Sequence, residues 1–134
     1  MRRDKRQRGS VMAEAALCFS ALALLALGAM EFSIWNQARA FCAYAAQDGA
    51  RWASLNSAKC NVSGCPGLQS YVRAEAAGLE TSSATARAYF ANGSGAGNPV
   101  QVTVSYATPA IFGLALGGNG RAAVTSRSEM VIIR

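Results

Sequence analysis

The chain has 134 residues, with thirteen Lys/Arg against seven Asp/Glu and no histidine. One domain of modest size fits that length. The missing histidine removes the commonest general base and the commonest metal ligand. The net charge of +6 is concentrated at the start, where Arg2, Arg3, Lys5, Arg6 and Arg8 face only Asp4, so it points to membrane topology rather than to nucleic acid.

Residues 6–17 read RQRGSVMAEAAL: the basic stub ends at Gly9, and Glu14 follows just as an apolar run begins. From Ala15 to Met30 there is no charge. Those residues span ~24 Å as a helix, and the flanks on either side bring the span to bilayer thickness. Trp35 suits the far interface. The positive-inside rule puts residues 1–9 in the cytoplasm and everything after Trp35 outside. A cleaved signal peptide has small-x-small sites at Ala26-Leu27-Gly28 and at Ala38-Arg39-Ala40. A lipoprotein signal at Cys18 is excluded, because Leu17 stands where a small residue is needed and Cys18 opens the apolar run instead of closing it.

The stub, Gly9, Glu14 and the uninterrupted apolar run resemble the class III leader of type IV prepilins. The resemblance implies cleavage between Gly9 and Ser10 by a prepilin peptidase, which makes Glu14 the fifth residue of the mature chain. Cleavage exposes a positive α-amino group at Ser10, and a carboxylate one helical turn on can neutralise it, in its own chain or in a neighbour. The competing explanation makes Glu14 an ordinary interfacial charge at a helix end.

The helical pattern runs on to Leu55 without proline, roughly 65 Å in all and more than a bilayer needs. Phe32, Trp35, Phe41, Trp52 and Leu55 recur along it, with Ala38, Cys42 and Ala45 filling a stripe. Glu31-Phe32 after the apolar run, and Gly49-Ala50-Arg51-Trp52-Ala53 at the end of the alanine-rich helix, resemble the TadE family of pilin-like proteins over residues 8–55. Ala15 departs from the aromatic that pilins of this class often carry after the glutamate. The family implies a bacterial minor pilin or pseudopilin of the tight-adherence (Flp-type) pilus system, serving surface attachment and biofilm formation. It implies an inner-membrane location with a periplasmic head, and as partners the prepilin peptidase, other pilin-like subunits, the tight-adherence assembly platform and the lipid bilayer. No small-molecule substrate, nucleic acid or cofactor is expected. Ala16, Ser20, Ala23 and Gly28 would allow close helix packing.

The segment 57–66, SAKCNVSGCP, reads as a loop. Outside the cytoplasm Cys60 and Cys65 are expected to pair. Zinc lacks further ligands, with Cys18 and Cys42 in or beside the membrane helix and read as small buried residues. A short helix is expected over 66–80, with Pro66 in its first turn and Leu68, Val72, Ala76 and Leu79 on one face. Strands follow at 85–91, 100–107 and 121–134, the second with Val100, Val102, Val104 and Tyr106 alternating against Gln101, Thr103 and Ser105. Residues 92–99 are a flexible connection, and the apolar segment Ile111–Leu116 is read as a loop closing the core or, alternatively, as an apolar tip that meets the membrane surface or a neighbouring subunit.

These elements predict an α+β, pilin-like protein: a long transmembrane-to-periplasmic helix, then a short helix and a small antiparallel sheet. The expected parts are a leader at 1–9, a membrane helix at 10–35, a helix extension at 36–55, a cysteine loop at 56–66 and a head at 67–134. No catalytic function is expected. Histidine-based triads are impossible, Glu75 and Glu80 lie off one helical face, and Lys59 is the only lysine outside the stub. The alternative is an unprocessed single-pass membrane anchor carrying a periplasmic scaffold or binding head. A secreted form cut after Gly28 is a third reading.

Overall fold

The computed structural model describes residues 4–60, 64–76, 79–110 and 120–133, with the backbone alone for residues 4–9. The α+β expectation holds. A helix α1 (Asp4–Leu55) is followed by α2 (Leu68–Glu75) and by strands β1 (Ala84–Phe90), β2 (Pro99–Pro109) and β3 (Arg121–Val131). Single 3-10 turns lie at Ser57–Lys59 and Thr81–Ser83. The chain forms two compact units, Met1–Ile34 and Trp35–Arg134.

The first unit is helix alone. Alanine and leucine dominate it, and no proline interrupts it. Its large side chains are exposed on every side: Met12, Leu17, Phe19 and Leu25 each keep more than two thirds of their surface. A helix that is apolar all round needs an apolar solvent. Ser10–Leu55 is long and apolar enough to cross a membrane, and a helix satisfies every backbone hydrogen bond internally, as hydrocarbon requires.

The second unit holds the core. Ala38, Cys42, Ala45, Ala46, Ala50 and Ala53 are all buried, at the spacing of one helical face. These are small residues, so the helix backbone comes close to the sheet. The three strands form an antiparallel meander in the order β1-β2-β3. The alternation expected for β2 is observed: Val100, Val102, Val104 and Tyr106 are buried, and the residues between them are half-exposed. Phe41 meets Tyr106 edge to face with ring centroids 5.9 Å apart, and the Cys42 thiol lies 3.5 Å from the Val124 carbonyl oxygen. Cys42 is therefore the small buried residue expected, and burial pushes its thiol pKa up. Cys18, by contrast, is exposed on the first unit's helix, where no described residue covers it.

Three expectations need adjusting. The short helix spans Leu68–Glu75 rather than 66–80; its start is set by Gly67, whose left-handed φ of 95° closes a turn ahead of it. Leu68 and Val72 are buried as expected, Ala76 caps the helix end, and Leu79 lies beyond it, partly buried against the core. The connection 92–99 is tied in place: the Asn98 side-chain amide donates to the Asn92 and Gly93 carbonyls, and the Ile132 N–H donates to the Asn98 carbonyl. Strand β3 ends at Val131. The Ile111–Leu116 segment lies outside the described residues.

Candidate functional site

The expected functional residues divide between the two units. In the first, Gly9, Ser10 and Glu14 all lie within α1. The helix begins at Asp4 and passes through the Gly9–Ser10 bond. Ser10 and Glu14 are exposed. Four residues apart, they sit one above the other on one helical face. Glu14 makes no hydrogen bond or ion pair to any described residue. A carboxylate so placed in an apolar helix is costly in hydrocarbon unless a cation reaches it. Further along, Glu31 is half-buried and Phe32 exposed.

In the second unit, the Gly49-Ala50-Arg51-Trp52 element is a docking device. Gly49 faces β2 and α2 so closely that a Cβ placed there would lie 3.3 Å from Val102 Cγ1 and 3.4 Å from Leu68 Cδ1. Ala50 is buried beside it. Trp52 stacks on Tyr71 of α2, with ring centroids 5.6 Å apart, and its ring edge would touch a Cβ at Gly67. The Tyr71 hydroxyl donates to Asp48 Oδ2 at 2.5 Å. That hydrogen bond is the main reason the Tyr71 pKa is pushed up to about 12. Asp48 and Trp52 are one turn apart on α1, so together they clamp Tyr71 by its hydroxyl and its ring. Arg51 is the exposed member of the element.

Cys60 and Cys65 form the expected disulfide, with Cα atoms 4.3 Å apart. It closes the loop between α1 and α2 and positions Gly67 under Trp52. The pairing of α2 with the sheet was not readable from the sequence. The Gln69 side-chain amide donates to the Ala84 carbonyl and accepts from the Ala86 N–H, both at 2.7 Å. It pairs two outward-facing backbone groups of β1, as another strand would. A glutamine on a helix carries no pattern that announces this role. Among the described residues, no cluster of His, Cys, Asp and Glu could hold a metal ion.

Within the second unit, Gly49, Ala50 and Trp52 thus dock the last turns of α1 onto β2 and α2. Residues 9–51 match the model of the TadE family, described as TadE-like protein. The match runs from Gly9 through Arg51, so it takes in Glu14, Glu31-Phe32 and most of the docking element. The resemblance read from the sequence over residues 8–55 thus coincides with this match over residues 9–51. No curated protein and no solved structure matches the chain.

Proposed function

We propose that this protein is a minor pilin or pseudopilin-like subunit that supports assembly of tight-adherence pili. In this reading a prepilin peptidase cuts after Gly9, and the helix from Ser10 packs against other pilin-like helices at the assembly platform. The stub faces the cytoplasm, the helix spans the inner membrane and the head lies in the periplasm. The role is structural rather than catalytic, and it serves surface attachment and biofilm formation.

The observation that carries this reading is Glu14, exposed and without a partner among the described residues, within the TadE-like stretch. Cleavage at Ser10 would supply its cation. Gly9 contributes a second point. A bond inside an α-helix must be extended to enter a peptidase, and glycine lowers helix stability by about 1 kcal/mol relative to alanine. Gly9 is therefore where the helix opens at least cost. The mature N-terminus, read by intact mass and N-terminal sequencing of membrane-extracted protein, tests this. A chain starting at Ser10 supports it, and a chain starting at Met1 rejects it.

One observation favours the second reading, an unprocessed anchor with a periplasmic head. The helix runs through the Gly9–Ser10 bond without a break. In that case Glu14 is an interfacial charge, and its removal leaves function unchanged.

A further inference from the structure

The inner face of the sheet is covered by α1, and no described element covers the outer face. Strand register sets the outer side chains in three rows. Thr85, Ser105 and Thr125 form one, Arg87, Thr103 and Arg127 the next, and Tyr89, Gln101 and Glu129 the third. The hydroxyl row is already linked, with Ser105 and Thr125 3.1 Å apart. In the middle row two arginines flank a threonine across roughly 10 Å of sheet, and neither has an ion-pair partner among the described residues. The third row opens into a shallow pocket of about 190 Å³, lined by Tyr89, Ala91, Pro99, Gln101 and Glu129.

We propose that this outer face binds an acidic polysaccharide, with a neutral sugar ring in the Tyr89 pocket and the carboxylate of a neighbouring uronate between Arg87 and Arg127. The pocket is far smaller than a typical small-molecule site, but it is open and suits one ring of a polymer. Its composition matches a sugar. Tyr89, 58% exposed, offers a flat apolar face for the C–H side of a ring. Gln101 and Glu129, directly opposite each other across the strands, offer an amide and a carboxylate to adjacent hydroxyls. Two residues along each strand, the arginine row supplies donors that fit a carboxylate.

Charge and composition decide between partner classes. The face is basic, with Arg121 at its far end already near Glu80, so a neutral glycan leaves Arg87 and Arg127 unused. A nucleic acid would bring phosphates against Glu129 and would find one stacking aromatic where several are usual. A protein partner would find no apolar centre to bury. The proposal rests on the head's own residues and stands whether or not the chain is processed at Gly9.

The test uses the full chain in phosphatidylcholine nanodiscs. Its probes are hyaluronan (uronates alternating with neutral sugars), polygalacturonate, uncharged dextran and single-stranded DNA. Hyaluronan should bind saturably and better than dextran, and should weaken as salt rises. Arg87→Ala with Arg127→Ala should weaken hyaluronan binding by about tenfold or more, and Tyr89→Ala should weaken it several-fold. All three side chains are exposed, so the core is left intact, and the basic N-terminus is unchanged in every variant. Glu129→Gln separates the classes. It should weaken hyaluronan binding, because one of the two carboxylate oxygens that accept from sugar hydroxyls becomes a donor NH2, whereas nonspecific polyanion binding would strengthen. The proposal is overturned if neither uronate polymer binds saturably, if the double arginine variant binds as tightly as the wild type, or if DNA binds more tightly than hyaluronan and Glu129→Gln strengthens it.

Discussion

At Gly49 a single hydrogen atom in place of a side chain sets how near the helix comes to the sheet. A Cβ there would sit 3.3 Å from Val102 Cγ1, tighter than an ordinary contact, and would touch Leu68. Gly49→Ala therefore sets helix propensity, worth about 1 kcal/mol in its favour, against a small packing clash, and should change stability little. Gly49→Leu has no such offset. It should destabilise the head by about 1–3 kcal/mol, seen as a lower midpoint in thermal unfolding of the detergent-solubilised chain, and an unchanged midpoint would contradict the packing described. Tyr71 makes a second residue-scale case. Its pKa is raised to about 12, first by the hydrogen bond to Asp48, above the value near 10 of a free phenol. The neutral phenol is the favoured form, so its stabilising contribution is complete below pH 10 and is lost as pH rises from about 10 through about 12. Tyrosinate absorbance should show a group titrating near pH 12. That group should vanish in Tyr71→Phe and titrate earlier in Asp48→Asn. A wild-type titration curve unchanged by Asp48→Asn would mean that the hydrogen bond does not form in solution.

Secondary elements meet here through a few side chains whose spacing is local on one element and invisible on the other. The Ala38–Ala53 stripe and the Val100–Tyr106 alternation were legible because each is a period within one element, and burial follows period. The start of α2 lies two residues past Pro66 because, although proline can open a helix, Gly67 in a left-handed conformation closes a turn just ahead of it. The Asp48–Tyr71 and Trp52–Tyr71 contacts join residues about twenty apart, and nothing in either segment marks the other. Gln69 is the clearest case. Strand β1 is an edge, and its outward-facing backbone groups invite another strand. Gln69 occupies two of them. Gln69→Ala should leave the core intact, since its neighbour Leu68 does the burying, but should expose the edge and raise self-association. Analytical ultracentrifugation in detergent would report this as a concentration-dependent heavier species absent from the wild type. A variant as monodisperse as the wild type would show that the edge needs no cover. Reducing the Cys60–Cys65 disulfide should loosen the same region, because the loop it closes leads directly to Gly67 and α2.

On the scale of the whole molecule, the candidate site was legible as a pattern, Gly9 to Glu14 ahead of an apolar helix, but not as a contact. The reason is physical: the partner proposed for Glu14 is not a group of this chain until a bond is broken. Before cleavage, Ser10 lies inside a helix that begins at Asp4. After cleavage, Ser10 becomes the helix N-terminus, where an α-ammonium adds to the positive end of the helix dipole. A carboxylate within the first turn or so then counters both. In a neighbour's helix it would do so in hydrocarbon, where an uncompensated buried charge costs about 3 kcal/mol or more. Glu14→Ala should therefore insert into the membrane and be cut normally, yet fail to join the assembly, read as a mature-length band in membranes with surface pili lost. Glu14→Gln should behave the same way, since it keeps the shape and removes the charge. Gly9→Leu should act one step earlier and leave the full-length mass, because the bond can no longer be presented cheaply. In that uncut background, adding Glu14→Ala should change nothing further, since no ammonium exists for it to meet. Dependence of the Glu14 effect on prior cleavage separates a charge partner created by processing from an interfacial charge, which would matter equally, or not at all, in both backgrounds.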